Sequence, residues 1–111
     1  MAYYLLQVTY TSEAWAALIQ NPQNRLEAVR PAVERLGGHI DGAWLAFGEY
    51  DVVALFQMPD HVSQAAISIA IAAGGAAKAL KTTPLMTFEE GIEALRKAAG
   101  VAGTVYRPPG V

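Results

Sequence analysis

The sequence predicts a single α+β domain whose elements follow the order β-α-β-β-α-β, with an extra helix after the last strand. Three observations predict this order. The chain opens on a strand-like segment, two apolar segments flank Gly48-Glu49, and helical periodicity fills both intervals between strands. With 111 residues, the chain is long enough for one layered core and too short for two. We expect the domain to span residues 1–99, and the tail over residues 100–111 to be flexible or docked on a partner subunit.

The first strand and the helix after it are predicted from composition and capping residues. Tyr3 to Tyr10 is rich in aromatic and branched side chains and contains neither Gly nor Pro, which is typical of a strand. Ser12 is the expected cap of a short helix, and Asn21-Pro22 predicts the start of a second helix. The first crossover is therefore expected to contain two helical segments.

The second of these segments has a regular apolar face. Its apolar residues at helical spacing are Leu26, Val29, Val33 and Leu36. Gly37-Gly38 follows directly and predicts the end of the helix. Because Pro31 removes a backbone donor inside the segment, we expect a kink, or a break near Arg30.

The centre of the chain predicts a β-hairpin. Ile40 to Phe47 and Tyr50 to Met58 are the two strand segments. A glycine at the first of two central positions, as in Gly48-Glu49, suits a type II′ turn. Phe47 would then pair with Tyr50, and the two strands would be antiparallel neighbours.

The second half of the chain predicts a helix, a strand and a final helix. Pro59-Asp60 opens the first helix and Gly74-Gly75 ends it. Lys78 to Met86 can form the last strand, which Pro84 places at a sheet edge. The segment Thr87-Phe88-Glu89-Glu90 matches a capping box, in which a Thr cap and a Glu three residues later satisfy free backbone donors. The final helix then has one apolar face, formed by Phe88, Ile92 and Leu95.

Strict alternation divides the strand residues between two faces of the sheet. The face expected to carry the helices holds Leu45, Phe47, Tyr50, Val52 and Phe56, with Tyr4, Leu6, Val8 and Tyr10 from the first strand. The opposite face holds Trp44, Ala46, Asp51, Val53, Leu55 and Gln57, with Tyr3, Leu5, Gln7 and Thr9. This second face is largely apolar, and no helix remains to cover it. We therefore predict that two subunits pack sheet to sheet as a symmetric dimer.

The order of these segments resembles that of the GYD-domain family of small uncharacterised proteins. The resemblance rests on the run Gly48-Glu49-Tyr50-Asp51 between two apolar strands, supported by Leu36-Gly37-Gly38 and by the capping box at Thr87. It covers roughly residues 3 to 95. It implies a ferredoxin-like sandwich with a four-stranded antiparallel sheet, of the kind that forms dimeric α/β barrels. It implies no settled activity, because one fold serves many functions.

Charge and composition exclude several classes of function. The chain has 8 basic and 10 acidic residues without a block of either sign, so we expect no nucleic-acid partner. No apolar stretch reaches the length of a membrane helix, and the amino terminus lacks the features of a signal peptide. The chain contains no cysteine, which favours a reducing compartment and a cytoplasmic location. We predict no cofactor.

Asp51 is the candidate catalytic residue. A carboxylate between a turn and an apolar face can have a raised pKa and act as a general base. The more common role of such a residue is structural, with its carboxylate accepting hydrogen bonds from the backbone of the turn, and we favour that role. His39 and Asp41 share a strand face, but no further ligand at a suitable spacing accompanies them, so we predict no metal site.

Four residues on the uncovered face are candidate ligand-binding residues. Trp44 and Tyr3 can stack on a flat molecule, and Gln7 and Gln57 can orient its polar edge. The same side chains can fill a dimer interface, where aromatic residues are enriched. The sequence does not decide between ligand binding and dimer contact for these residues.

The leading functional hypothesis is a small cytosolic homo-oligomer that binds a small organic molecule in a cleft of the sheet face. One alternative is a cofactor-free enzyme of the monooxygenase or isomerase kind, with Asp51 as base and Tyr50 or His39 as hydrogen-bond partner. Another is a non-catalytic module whose sheet face and tail recruit a different protein.

Overall fold

The computed structural model, which describes residues 1–110, contains four strands and four helices. In chain order they are β1 (Ala2–Tyr10), α1 (Ser12–Gln20), α2 (Arg25–Arg35), β2 (His39–Leu45), β3 (Val52–Met58), α3 (His61–Ala73), β4 (Ala77–Leu85) and α4 (Phe88–Ala99). The strands form one antiparallel sheet in the order β2-β3-β1-β4. This order confirms the predicted ferredoxin-like fold and places β4, which contains Pro84, at an edge. Among the described residues, no helix has the length and apolar composition needed to cross a membrane.

Helix α1 is capped one residue earlier than predicted. The Thr11 hydroxyl accepts a hydrogen bond from the backbone N–H of Ala14, at 3.0 Å, so Thr11 is the cap and Ser12 is the first helical residue. Both side chains have a hydroxyl that can cap a helix. Thr11 takes the role because it is the residue that still has extended backbone at the end of β1.

Helix α2 begins later than predicted and is not broken. Asn24, rather than Asn21, caps it by accepting a hydrogen bond from the N–H of Leu26 at 3.0 Å. Asn21 instead closes α1, whose last turn it ends. Pro31 lies inside α2, yet the helix continues to Arg35, so the expected break near Arg30 is wrong. Pro31 is exposed to solvent, where a carbonyl that loses its helical donor can bind water.

The core lies between one face of the sheet and the helices α2 and α3. Its buried apolar residues are Tyr4, Leu6, Val8, Val33, Ile40, Ala54, Phe56, Met58 and Ile67. The alternation in β1 is therefore confirmed, with every second residue from Tyr4 to Val8 buried. Each large side chain removed from water here contributes about 1.5–3 kcal/mol.

The hairpin has the predicted register near its turn but not the predicted tight turn. Leu45 pairs with Val52, which is the register that a Phe47 to Tyr50 pair would give. However, β2 ends at Leu45, and the last bond across the hairpin joins the N–H of Ala46 to the carbonyl of Asp51 at 2.8 Å. The chain then forms a longer loop, because the backbone N–H of Asp51 bonds to β1.

Three residues predicted for the helix-side core do not lie in it. Leu45 and Phe47 are exposed, and Tyr50 is only partly buried and lies in the loop. The prediction for these residues is wrong because alternation decides which face a side chain occupies, not whether a helix covers that face. At this end of β2 a cavity takes the place of helix packing.

Helix α4 begins as predicted. Thr87 and Glu90 form a complete capping box, in which the Thr87 hydroxyl accepts from the Glu90 N–H at 3.1 Å and the Glu90 carboxylate accepts from the Thr87 N–H at 2.9 Å. No residue of α4 is buried in its own chain. The apolar face of this helix is consequently left uncovered.

Candidate functional site

The loop that contains Asp51 is attached to the end of β1 by three hydrogen bonds. The N–H of Asp51 donates to the carbonyl of Val8 at 2.8 Å, and its carboxylate accepts from the N–H of Tyr10 at 2.9 Å. The hydroxyl of Thr9 donates to the carbonyl of Glu49 at 2.8 Å. The last residue of β1 that pairs with β3 is Val8. Beyond it, the Asp51 carboxylate takes the place of a neighbouring strand as the hydrogen-bond acceptor for the N–H of Tyr10. The carboxylate thus accepts from backbone, as the structural alternative expects, but the bonded backbone belongs to β1 and not to the turn itself.

The four predicted ligand-binding residues all lie on the sheet face away from the helices. Tyr3 is the cross-strand partner of Gln57, and Trp44 and Gln7 both pair with Val53. Tyr3, Gln7 and Gln57 are partly buried, whereas Trp44 is exposed. The structure thus brings these residues together across three strands. We call this surface the far face.

Gly42 determines how Trp44 lies on the far face. A Cβ atom built at Gly42 would lie 2.7 Å from Cη2 of the Trp44 indole. The indole therefore extends back over Gly42 along β2, where any larger residue would displace it. This arrangement presents a broad aromatic surface at the β2 edge of the far face.

A polar cluster on the far face lies at an irregularity in β2. The register between β2 and β3 shifts between Ile40 and Gly42, which leaves Asp41 as an extra residue. The Asp41 carboxylate accepts a hydrogen bond from Gln57 Nε2 at 2.8 Å and lies 3.6 Å from His39 Nε2. Within residues 1–110 there is no group of three or more His, Asp or Glu side chains that could hold a metal ion.

A cavity lies on the opposite side of the sheet from the far face, beneath the helices. It has a volume of about 640 Å³. Its floor is formed by apolar residues of the sheet, including Val8 and Val52, and its walls come from α1, α2 and α3. Alternation and periodicity in the sequence did not indicate this site. The signal for it lies in small residues on the facing helices, Ala28, Ala32 and Ala70, which leave the space between them unfilled.

The cavity has an aromatic and polar rim. The rings of Tyr10 and Trp15 meet edge to face with their centres 5.2 Å apart. Gln23, Asn24 and Arg25 complete the rim at the start of α2, and the Arg25 guanidinium donates to the Gln23 side-chain oxygen at 3.1 Å. The site therefore combines mostly apolar walls with a few polar groups at one end, the composition of many small-molecule sites.

Burial raises the pKa of the Tyr10 phenol above its usual value, Arg25 counteracts this rise, and the Asp51 carboxylate adds to it. The phenol is consequently protonated at neutral pH and can donate a hydrogen bond into the cavity. Neither Asp51 nor His39 lines this cavity.

The raised pKa of Tyr10 predicts a loss of stability in alkali. Above about pH 10 the unfolded phenol loses its proton before the folded one, so the unfolded state binds fewer protons and is favoured. The contribution of Tyr10 is complete below the unfolded pKa and is lost as the pH rises through the higher folded pKa. Urea unfolding from about pH 9 to about pH 11 should show a steeper loss in the wild type than in Tyr10→Phe. An equal loss of stability with rising pH in the two proteins would contradict the raised pKa of Tyr10.

A series of hydrogen-bonded polar side chains links α3 to β4. Gln64, which is buried, donates from Nε2 to the Ser68 hydroxyl at 3.3 Å, and Ser68 and Thr82 share a hydrogen bond of 3.0 Å. The side-chain oxygen of Gln64 has no partner among the described residues. Buried acceptors of this kind are rare, since each costs about 1–3 kcal/mol. These hydrogen bonds attach α3 to the edge strand β4. None of the three side chains lines the cavity beneath the helices, although α3 itself forms one of its walls.

The strand order β2-β3-β1-β4 and the element order define a small α+β protein of the ferredoxin-like class, with an open far face and a cavity beneath its helices. The GYD domain profile matches residues 4–95, so the chain belongs to the GYD-domain family. This match confirms the family predicted from Gly48-Glu49-Tyr50-Asp51 and its neighbours. The matched region ends within α4, and the tail lies beyond it.

Solved structures similar to the chain include two small proteins. TTHA0845 from Thermus thermophilus superposes with a TM-score of 0.52 at 16% sequence identity, over 78% of this chain and 95% of its own. FFRP-DM1 superposes with a TM-score of 0.48 at 13% identity, over 78% of this chain and 100% of its own. The similarity to TTHA0845 concerns the fold alone. No curated protein is significantly similar to the chain in sequence.

Proposed function

We propose that this GYD-domain protein is a homo-oligomer that binds a small organic molecule in the cavity beneath its helices. The observation that carries the proposal is the cavity itself, whose volume of about 640 Å³ lies within the range of about 300–1,000 Å³ common for ligand sites. The sequence placed the ligand in a cleft of the far face. The cavity supports the helix side instead, because the apolar side chains of the sheet and of three helices line it.

The lining defines the kind of molecule that would bind. The walls are apolar and would cover a ring or a branched hydrocarbon group. At the rim, Arg25 carries a positive charge and Tyr10 offers a neutral hydroxyl. A largely apolar molecule with one polar or anionic end fits this distribution best.

The far face is then the self-association surface. Its residues Tyr3, Gln7, Trp44 and Gln57 combine aromatic and amide side chains, as protein interfaces do. Two copies related by a two-fold axis would cover each other's apolar side chains and bring the Gln7 amide against polar groups of the partner. The absence of cysteine supports the cytoplasm as the location of this oligomer.

Trp15 is the tryptophan that tests the cavity, because it lines the cavity from α1, whereas Trp44 lies on the far face and also borders the cavity. In a Trp44→Phe variant, titration with 1-anilinonaphthalene-8-sulfonate, an aromatic sulfonate, is expected to quench Trp15 and to saturate. A Trp15 fluorescence that shows no saturable change would contradict the proposal.

A matched pair of substitutions on α3 tests the cavity directly. Ala70 lines the cavity and Ala72 does not, although both are exposed on the same helix. Ala70→Phe should weaken binding of the sulfonate by at least about tenfold, which is about 1.4 kcal/mol, because the ring occupies the ligand volume. Ala72→Phe should bind as the wild type does. Equal binding by both variants would show that the probe binds elsewhere.

The alternative of a cofactor-free enzyme with Asp51 as base gains no comparable support. One oxygen of the Asp51 carboxylate is bonded to the N–H of Tyr10, and the side chain is not part of the cavity lining. Tyr50 and His39, the expected partners of such a base, also lie outside that lining. We therefore assign Asp51 to the support of the site and not to its chemistry.

A further inference from the structure

The carboxyl-terminal segment from Met86 to Gly110, here called the arm, has an apolar surface that its own chain does not cover. On α4, Phe88 and Leu95 are 93% and 71% exposed, and Ile92 lies between them at helical spacing. The other side of the helix is charged, so the helix has two distinct faces. A helix with this pattern normally buries its apolar face against another surface.

The arm extends away from the domain. The radius of gyration is 18.0 Å, against about 13 Å expected for a compact chain of this length, and the longest dimension is 60 Å. After α4 the chain continues in ordered turns, where the carbonyl of Val101 accepts from the N–H groups of Val105 and Tyr106 at 3.0 and 2.9 Å. These three side chains are also exposed. The backbone that carries these side chains is therefore held by its own hydrogen bonds, which lowers the entropic cost of binding.

An apolar surface suited to the arm lies at the opposite edge of the sheet. On β2 and the loop after it, Trp44, Leu45 and Phe47 are 61%, 70% and 103% exposed. Trp44 and Leu45 lie on opposite faces of β2 and both border the cavity, so this surface wraps around the edge of the sheet beside the cavity. The arm leaves the sheet from β4, and the strand order places β2 three strands away, about 14 Å across the sheet. Because the arm points outward, the β2 edge that it can cover is one on another molecule.

We propose that, in the homodimer, the arm of each chain packs on the β2 edge of the other. Both surfaces occur once per chain, so one two-fold axis satisfies both contacts. The arm contact is continuous with the far-face interface, because Leu85, the last residue of β4, pairs with Tyr3 on the far face and leads directly into the arm. A standard interface buries about 800 Å² per partner. The far face and the arm together offer more apolar side chains than either does alone.

The charges of α4 favour a protein partner over a membrane. Its polar side carries Glu89, Glu90 and Glu93 against Arg96 and Lys97. Helices that lie on anionic lipid are rich in Lys and Arg on that side, so a surplus of carboxylates opposes such binding. A second copy of the chain requires no positive face, because the contact surfaces on β2 are apolar.

Disulfide mapping tests the contact, because the chain contains no cysteine of its own. Leu95→Cys and Phe47→Cys proteins, one of them enlarged by a tag, are mixed, allowed to exchange subunits and oxidised. The mixed 47–95 disulfide should form at least about tenfold faster than the mixed product of Leu95→Cys with Ile19→Cys or Ile69→Cys, which are similarly exposed on α1 and α3.

The outcomes of the mapping separate the possible occupants. Preferential 47–95 bonding between chains supports the proposal. Faster bonding to position 69 or 19 would place the arm on the helices and overturn it. An intrachain disulfide in the Phe47→Cys/Leu95→Cys double variant, at all protein concentrations, would also overturn it, since the arm would then fold back on its own sheet.

Sedimentation of a matched pair of α4 variants provides the second measurement. Leu95→Asp, on the apolar face, should raise the dimer dissociation constant by at least about tenfold, whereas Ala94→Asp adds the same charge beside that face and should change it little. Neither residue contributes to the core, so both variants should fold. The proposal rests on the self-association proposed above. A monomeric wild type would refute self-association itself, while a dimer indifferent to Leu95→Asp would refute only the arm contact.

Discussion

Gly38→Ala is expected to lower the free energy of unfolding by about 3 kcal/mol, the upper end of the usual cost of overpacking. A Cβ atom at Gly38 would lie 2.5 Å from the backbone carbonyl of Gln57 and in contact with the sulfur of Met58. Met58 is completely buried, and the carbonyl of Gln57 belongs to β3, so neither can move without disturbing the sheet. Urea unfolding of the variant should show a lower midpoint and an unchanged slope.

The neighbouring glycine is the matched control for this effect. Gly37 has a φ of 87°, and a Cβ there would lie 3.5 Å from Pro59, an ordinary contact. Gly37→Ala should therefore cost about 1 kcal/mol, the conformational cost of the left-handed region without a steric clash. If the two variants lost the same stability, the close approach at Gly38 would not be the reason for its glycine.

The sequence predicted the strand and helix order because the relevant signals are local. Alternation in Tyr4, Leu6 and Val8 assigned β1 to a half-buried strand, and the Gly48 region defined a hairpin register that the structure retains at Leu45 and Val52. The capping box at Thr87 placed the start of α4 to the residue. Each of these signals depends on residues within a few positions of one another.

Predictions failed where the outcome depends on distant parts of the chain. The two-residue turn did not form because Asp51 and Thr9 bind the loop to β1, a contact between segments about forty residues apart in the chain. Local turn chemistry carries no information about that contact. Thr11 and Ser12 are equally good caps by composition, and only the end of β1 decides between them.

The cavity escaped prediction for a different reason. Periodicity shows which residues of α2 and α3 face the sheet, but it does not give the distance between the helices. Alanines such as Ala32 and Ala70 on facing helices are compatible with close packing or with an open space. The far-face residues, in contrast, could be assigned from alternation alone, since a strand has only two faces.

Asp51→Ala is expected to lower the free energy of unfolding by about 2 kcal/mol. The substitution removes a charged acceptor and leaves the partly buried N–H of Tyr10 without its partner, and hydrogen bonds to charged groups contribute about 1.5–3 kcal/mol. Amide hydrogen exchange should accelerate at Tyr10, because its N–H is the one released. The loop itself should loosen where Asp51 no longer ties it to the end of β1.

Asp51→Asn separates a structural role from a catalytic one. The amide oxygen can still accept from the N–H of Tyr10, so this variant should lose only about half as much stability as Asp51→Ala. Asparagine cannot act as a general base. Since Asp51 does not line the cavity, Asp51→Asn should bind 1-anilinonaphthalene-8-sulfonate as the wild type does. An Asp51→Ala protein as stable as the wild type would show that the carboxylate does not hold the loop. Its presence beside the end of β1 would then need a chemical explanation, and a general base would again be the first to test.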